Sequence, residues 1–427
     1  MKAVLCYHRI SDYYDDFNLM NVSVAHFETH MKYLKNHYEV LALEQLICAA
    51  EQEDGWNQIA VTFDDGYRDV YRNAFPILEK YQIPATVFIT TKNIDTTEEN
   101  WPDWVMRACM QPAVYHDYFD MENELVTIRC YTRNLQERCD FYSAMSEVCA
   151  RLDTCSRNQQ LQELKSWAGV NGKGRESRRI LSTEEIQMLA NSPLITIGSH
   201  TETHSILSWL PLETQFREIK DSKDKLESIT GNRIELFAYP YGGRNFYDET
   251  TMELLKSNGY QMAFTTDTER IDVHTDRYQI PRHAVLNYDE TNFTNFLNAI
   301  LGNTEKRDAD TTERKQTPLT YLGRLKDDVG VLCGKEKIII WGYGYWGREL
   351  YAELKMMGEG LEVLAFGDRD AEKYGVTEDG IPVLGAIEIA EMARASGAVI
   401  LIKGIYDWEI FTELKEQGFR NLHIIMR

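Results

Sequence analysis

The chain has 427 residues, a length that is enough for two or three domains with separate cores. Of these residues, 43% are hydrophobic and 26% are charged. Its formal charge of -21 argues against nucleic acids and anionic membranes as primary partners, because both would be repelled. No apolar stretch approaches the ~20 residues that span a bilayer. The sequence has no signal-peptide core and its eight cysteines form no CxxC pair, which predicts a cytoplasmic protein with reduced thiols.

From residue 1 to about 300, short apolar strands alternate with helical stretches. The pattern predicts strands over 2–7, 38–43, 59–63, 84–90, 194–198, 235–239 and 261–265. Between them it predicts helices over 24–36, 68–81, 212–229 and 248–258. Repeated alternation of this kind is typical of a parallel sheet, either open or closed into a barrel.

Three further regions depart from this alternation. Residues 101–190 are rich in cysteines and charges, and they predict a mainly helical insertion. Its basic loop, 173–179, is interpreted as solvated surface, with contact to an anionic substrate as the alternative. The polar stretch 303–319 predicts a linker between a first domain, 1–302, and a second unit, 320–427.

Two adjacent carboxylates, Asp64 and Asp65, follow an apolar strand and precede Gly66. Neighbouring carboxylates in a cleft repel each other, so such a pair usually needs a metal ion or a shared proton. One of them can bind a cation while the other acts as a base. This division of roles predicts hydrolysis, provided that histidines complete the metal site.

Two other motifs also follow predicted strands. His200 and His204 are four residues apart, which would place both rings on one face of a helical turn. With one aspartate they would form a three-ligand face that leaves room for water and substrate. The turn at 237–243, rich in Pro and Gly, could direct backbone N–H groups into the same site. Parallel α/β barrels build active sites at this end of their strands.

Together these motifs resemble the polysaccharide deacetylase family, also called the NodB-homology domain. Its first three motifs match TFDDG at 62–66, HTETH at 200–204 and YPYG at 239–242. The resemblance covers about residues 1–300. It implies an α/β fold, a distorted (β/α)7 barrel carrying the helical insertion, that uses a divalent metal to hydrolyse N-acetyl groups on amino sugars.

Residue roles follow from the resemblance by position. It implies Asp65, His200 and His204 as metal ligands, with zinc first and cobalt, nickel, manganese or iron as alternatives. It implies Asp64 as the general base for the attacking water. The backbone N–H of Tyr241 would stabilise the oxyanion.

The chain departs from the commonest family pattern in its general acid and its arginine. A late Leu-x-His motif is not clearly present, but Tyr7-His8 is similar to a motif of the circularly permuted subset that includes poly-N-acetylglucosamine deacetylases. His8 is therefore the predicted acid, with His283 as the alternative. Arg282 resembles the arginine that holds the base ionised in this subset.

The insertion begins with residues that could contact a sugar. Trp101 and Asp103 follow the fourth predicted strand, and tryptophan faces can stack on sugar rings. A binding role for them and a role in packing the insertion are both open at this point.

The second unit carries a glycine motif after an apolar strand, with Gly342, Gly344 and Gly347 in G-x-G-x-x-G spacing. Asp368 lies where an acid binds the ribose hydroxyls in dinucleotide sites. The region resembles Rossmann-like domains, which predicts a small, doubly wound parallel sheet. A bound nucleotide or nucleotide-sugar is one interpretation, and a structural or partner-binding module is the other.

The sequence thus predicts a metal-dependent carbohydrate N-deacetylase that acts on an N-acetylated amino sugar or polysaccharide. Its missing secretion signal favours an intracellular glycan precursor as substrate. A non-catalytic glycan-binding or nucleotide-sugar-binding module is the alternative. A nicotinamide-dependent oxidoreductase is disfavoured, because no Ser-Tyr-Lys or His-Asp arrangement lies near the glycine motif. The sugar, the metal and the oligomeric state are not predicted.

Overall fold

The structure is a computed structural model that describes residues 1–12, 20–49 and 57–302, apart from 124, 126 and 268. Further along the chain it describes mainly the segments 337–342, 362–368, 379–396, 398–402 and 422–424. The chain divides into two compact units, Met1–Asp308 and Ala309–Arg427. The predicted linker, 303–319, lies outside the described residues.

The first unit alternates strands and helices much as the sequence predicts. Its strands are β1 (Lys2–Tyr7), β2 (Arg9–Ile10), β3 (Asn21–Val22), β4 (Glu39–Val40), β5 (Gln58–Phe63), β6 (Ala85–Ile89), β7 (Tyr118–Glu122), β8 (Thr127–Tyr131), β9 (Ile195–Ser199), β10 (Leu236–Ala238), β11 (Met262–Phe264) and β12 (His283–Ala284). Its α-helices are α1 (Val24–His37), α2 (Leu43–Ala49), α3 (Phe75–Tyr81), α4 (Trp101–Met110), α5 (Leu135–Arg151), α6 (Thr154–Trp167), α7 (Thr183–Ala190), α8 (Leu212–Thr230), α9 (Glu249–Ser257) and α10 (Glu290–Leu301). The predicted helix 68–81 is divided into a π-helical turn, Val70–Ala74, and α3.

A curled parallel sheet forms the core of this unit. Its strand order is β11-β10-β9-β6-β5-β1-β12, and β4 pairs with β5 beside this path. Every residue of β5 and of β6 is buried, as expected for strands covered on both faces. The segment 280–284, which contains β12, contacts two strands that are far apart in this order. Ile280 forms a β-bridge with Phe264 of β11, and His283 pairs with Leu5 of β1. The sheet is therefore curled, and one segment joins its two ends. This curled parallel sheet is consistent with the barrel that the family resemblance implies.

The strand register brings the three sequence motifs together. Tyr7 is paired with Phe63, and Ile89 is paired with Ser199. Ser199 is in turn paired with Phe237. The residues that follow these strands therefore meet at one edge of the sheet, which is where parallel α/β folds place their sites.

The insertion is helical, as predicted, but it also contains an antiparallel hairpin that the sequence analysis missed. Strands β7 and β8 pair from Tyr118 opposite Tyr131 to Glu122 opposite Thr127. Phe119 and Met121 point inward between exposed neighbours, and they join a second hydrophobic core with α4, α5 and α6. The insertion therefore has a core of its own.

The second unit contains a five-stranded parallel sheet. Its strands are β13 (Lys337–Trp341), β14 (Glu362–Gly367), β15 (Val383–Leu384), β16 (Val399–Ile402) and β17 (Leu422–Ile424), and its described helix is α11 (Ala386–Ser396). The strand order is β15-β14-β13-β16-β17. Gly342 lies at the carboxyl end of the central strand, but Gly344 and Gly347 lie outside the described residues. Among the described residues, no helix combines the length and apolarity that a membrane span requires.

Candidate metal and hydrolase site

The turn after β5 separates the two adjacent carboxylates. The Asp64 N–H donates to the Tyr7 carbonyl at 2.9 Å and so continues the sheet. Asp65 and Gly66 then adopt left-handed backbone angles, with φ of 68° and 76°. A Cβ at Gly66 would lie 2.8 Å from Cγ2 of Ile89, so this position requires glycine. The turn gives the two carboxylates different neighbours.

Asp65 faces the two histidines of the HTETH motif. Its Oδ1 lies 3.5 Å from His200 Nε2 and 3.3 Å from His204 Nε2. One ligand atom from each residue lies within 4.8 Å of the other two. Asp65 Oδ1 is buried and has no hydrogen-bond donor among the described residues. A buried carboxylate oxygen without a donor is costly, and a divalent cation between the three groups would satisfy it.

The protonation states of Asp65 and His204 also suit a cation. Burial lowers the pKa of His204 to about 4, which leaves its ring neutral at pH 7. Burial alone would raise the pKa of Asp65, but His204 and His200 lower it overall, so the carboxylate is ionised. His200 Nδ1 lies 2.8 Å from the carbonyl oxygen of Ala238. Because a carbonyl only accepts, Nδ1 carries a proton, which directs Nε2 toward Asp65. Burial would lower the pKa of His200, but Asp64 and Asp65 raise it overall, so a bound cation would take the place of a proton on Nε2.

The histidines do not lie on a helical turn, and that prediction was wrong. Residues 200–204 form a loop in which Thr201 and His204 have φ of 65° and 57°. The His204 N–H donates to Thr201 Oγ1 at 3.0 Å. These left-handed residues prevent a continuous helix, and the loop itself brings both rings to Asp65.

Asp64 is bound by Arg282. The guanidinium donates from Nη1 to Oδ1 at 2.6 Å and from Nη2 to Oδ2 at 2.7 Å, and Arg282 is fully buried. Burial would raise the pKa of Asp64, but the charge and hydrogen bonds of Arg282, together with the nearby His200 and His8, outweigh burial and lower the pKa to about 2. The Cys6 thiol also donates to Asp64 Oδ2 at 3.5 Å, a contact that the sequence analysis missed. Asp64 is therefore ionised and held in one orientation.

A cavity of about 530 Å³ opens beside these groups. Its walls include His8, both aspartates and both histidines, together with Tyr239 and Tyr241. His283 is largely buried and pairs with Leu5, while its neighbour Ala284 reaches the cavity wall. The cavity thus brings the predicted acid, base and metal ligands to one space.

Tyr241 lies at the mouth of the site. Its backbone is left-handed, with φ of 64°, and it follows Pro240. Its ring packs against the ring of His204, with centroids 4.9 Å apart. The YPYG turn therefore adjoins the loop 200–204 that carries both histidines, as the sequence predicts.

The insertion supplies the opposite wall, which includes Trp101 and Asp103. Asp103 is buried and accepts hydrogen bonds from Tyr67 Oη at 2.6 Å and Arg178 Nη1 at 3.1 Å. Burial raises the pKa of Asp103 to about 6 against the opposing charge of Arg178. Asp103 is thus fixed by these two partners, neither of which the sequence analysis identified.

The basic loop is not simply solvated surface, and that interpretation needs correction. Arg178 is buried and lines the cavity. Arg175 donates to the buried carboxylate of Glu99 at 2.7 Å. Glu99 and Asp103, near the start of the insertion, neutralise Arg175 and Arg178. The loop therefore folds inward. A charge run alone gives no sign of such distant partners.

The fold and the site together define a curled parallel α/β enzyme scaffold with a candidate Asp-His-His metal site. The family model for polysaccharide deacetylase matches residues 51–263. The chain therefore belongs to the polysaccharide deacetylase family, as the sequence motifs predict.

Individual relatives are distant. A Bacillus subtilis protein, named by family as a polysaccharide deacetylase, is 24% identical over 267 residues, which span 62% of this chain and 64% of that protein. The Staphylococcus epidermidis poly-beta-1,6-N-acetyl-D-glucosamine N-deacetylase is 23% identical over 297 residues, or 66% of this chain and 78% of that protein. A polysaccharide deacetylase structure from Bacillus cereus aligns with a TM-score of 0.45 at 23% identity, covering 69% of this chain and 68% of that one.

Proposed function

We propose that the chain is a divalent-metal-dependent carbohydrate N-deacetylase that hydrolyses the N-acetyl group of an amino sugar. The observation that carries this proposal is that the carboxylates of Asp64 and Asp65 have different partners. Asp65 Oδ1 faces two imidazole Nε2 atoms without a donor, while both oxygens of Asp64 are bound by Arg282. One carboxylate suits a cation, and the other suits a base.

Asp65, His200 and His204 would hold the metal. When bound, a divalent cation lowers the pKa of water and polarises the carbonyl of an amide. Three protein ligands leave positions open for water and substrate. Zinc is our first choice, although an Asp-His-His set also suits cobalt, nickel, manganese or iron.

The proton transfers fall to two side chains that follow the adjacent strands β5 and β1. Asp64 is ionised at neutral pH and takes a proton from the attacking water. His8 lines the same cavity and gives a proton to the leaving amine. Arg282 holds Asp64 in place, and the Tyr241 N–H would stabilise the oxyanion.

The substrate that we propose is an N-acetylglucosamine-containing glycan. Support comes from the named activity of the Staphylococcus epidermidis relative and from Trp101 in the cavity wall, whose face suits a sugar ring. An intracellular precursor as the source of this glycan stays a prediction.

For the second unit we propose a Rossmann-like nucleotide or nucleotide-sugar site. The first strand in sequence, β13, lies at the centre of the sheet, and β14 and β16 flank it. Gly342 and Asp368 follow the adjacent strands β13 and β14, at the edge where such folds bind nucleotides. Calorimetric titration of the full chain with UDP-N-acetylglucosamine and with NAD tests this, and Asp368→Ala should weaken any binding. Absence of heat would favour a structural module.

The main proposal is tested by acetate release. The purified protein is incubated with N-acetylglucosamine oligomers and a polymer, before and after chelation and after adding back zinc. We expect acetate release that chelation abolishes and zinc restores. Tight metal binding with no acetate from any N-acetylated sugar would favour the alternative, a non-catalytic glycan-binding module.

A further inference from the structure

Arg157 lies on α6 of the insertion, but its guanidinium contacts the loop after β9 that carries His200 and His204. Its side chain is only 1% exposed, which makes it one of the largest fully buried side chains among the described residues. Nη2 donates to Thr203 Oγ1 at 2.8 Å, and Nη1 donates to Ser205 Oγ at 3.0 Å. Thr203 and Ser205 are the two neighbours of His204. The guanidinium of Arg157 therefore binds the residue before and the residue after His204, a candidate metal ligand.

Glu218, on α8, binds the same loop from the other side. It is 3% exposed and accepts from the backbone N–H of Thr203 at 2.8 Å and of Glu202 at 3.0 Å. Thr203 Oγ1 also donates to it at 2.6 Å. A threonine hydroxyl has one donor and can accept more than one bond, so it can serve Glu218 and Arg157 together. The loop is thus fixed between a cation and an anion.

The two candidate histidine ligands differ in how they are held. His200 has the Ala238 carbonyl at its Nδ1, whereas His204 Nδ1 is buried without a partner among the described residues. His204 also has a left-handed backbone, a conformation that costs a non-glycine residue roughly 1–3 kcal/mol. Ring packing against Tyr241 and the backbone of its loop must therefore set its orientation.

We infer that Arg157 is a positioning residue for the metal site, through which the insertion holds His204 in its ligand position. This inference rests on the proposed function. It assigns the insertion a role beyond forming the cavity wall, because α6 supplies the cation that holds the side chains of Thr203 and Ser205 on either side of His204. A protein with an altered α6 would bind metal less tightly even with all three ligands present.

The test is metal affinity of the full chain. Zinc is titrated calorimetrically into metal-free wild type, Arg157→Met, Arg157→Lys and Ser205→Ala. Arg129→Met is the matched control, since Arg129 lies in the same insertion but is half exposed and pairs with Asp120. Loss of an outer partner of a metal ligand typically costs 10–100-fold in metal affinity. We expect a loss in that range for Arg157→Met, smaller losses for Arg157→Lys and Ser205→Ala, and none for Arg129→Met.

A second readout separates positioning from general damage. Raising the zinc concentration should restore acetate release by Arg157→Met, with an unchanged KM for the sugar, whereas a folding defect would not respond. Wild-type zinc affinity in a folded Arg157→Met overturns the inference and leaves the proposed function intact. If that variant does not fold, wild-type affinity in both Arg157→Lys and Ser205→Ala overturns it instead. A wild-type chain that binds no divalent metal overturns the proposed function as well.

Discussion

Among the described residues, two groups of possible metal ligands lie side by side at the carboxyl ends of the strands. The first is Asp65, His200 and His204, and the second is Cys6, His8 and Asp64. In each group the ligand atoms lie within 4.8 Å of one another. Residue type and spacing alone therefore do not distinguish them.

The partners of the two carboxylates do distinguish them. Both oxygens of Asp64 accept from Arg282, and burial raises the pKa of the Cys6 thiol, so this group offers a cation no free anionic ligand. Asp65 Oδ1 has no such donor among the described residues. The two adjacent aspartates thus have different surroundings, because Arg282 binds only one of them.

The largest effect should come from His200→Ala. It removes a ligand of the first group and leaves Asp65 facing a single imidazole. We expect loss of tight zinc binding, with acetate release falling by more than the ~10²–10⁴-fold expected for a proton-transfer residue. Zinc content by mass spectrometry and an acetate assay measure both. Normal zinc content would refute the ligand assignment.

Asp64→Asn should lower turnover without lowering zinc binding. The variant keeps the shape of the side chain but loses the base, so kcat should fall by about 10²–10⁴-fold while zinc content stays at the wild-type level. Near-normal turnover would show that Asp64 is not the base. Zinc loss would place Asp64 among the metal ligands and erase the contrast between the two groups.

The general acid can be assigned by comparing His8→Gln with His283→Gln. His8 lines the cavity, whereas His283 is largely buried in the β1 pairing. We expect a loss of about 10²–10⁴-fold in kcat for His8→Gln and less than about tenfold for His283→Gln. The opposite ranking, measured with the same oligosaccharide, would make His283 the acid.

The Asp64–Arg282 pair should also make the free energy of unfolding depend on pH in the acid range. The pKa of Asp64 falls from its ordinary 3.8 to about 2 on folding, so the folded state binds fewer protons in that range. The resulting stabilisation, roughly 2–3 kcal/mol, is complete above pH ~4 and is lost as the pH falls through 2. Urea unfolding of wild type and Asp64→Asn at pH 6, 4 and 2 should show a difference that shrinks toward pH 2. A difference that does not depend on pH would contradict the pairing.

The sequence predicts the alternation of strands and helices and the meeting of the motifs, because each follows an apolar strand. It does not predict the pairing of Asp103 with Tyr67 and Arg178, because these residues are 36 and 75 positions away. It also misjudged the HTETH loop, since histidines at four-residue spacing fit a helical turn equally well. Arg157 was missed because Thr203 and Ser205, to which it donates, are 46 and 48 positions away and carry no charge.

The most direct test of the central claim is a crystal structure of the zinc-loaded protein, with anomalous scattering used to locate the ion. We predict one ion bound by Asp65 Oδ1, His200 Nε2 and His204 Nε2, with Arg282 still paired to Asp64. An ion bound instead by Asp64 and Cys6, with Arg282 displaced, would contradict the account.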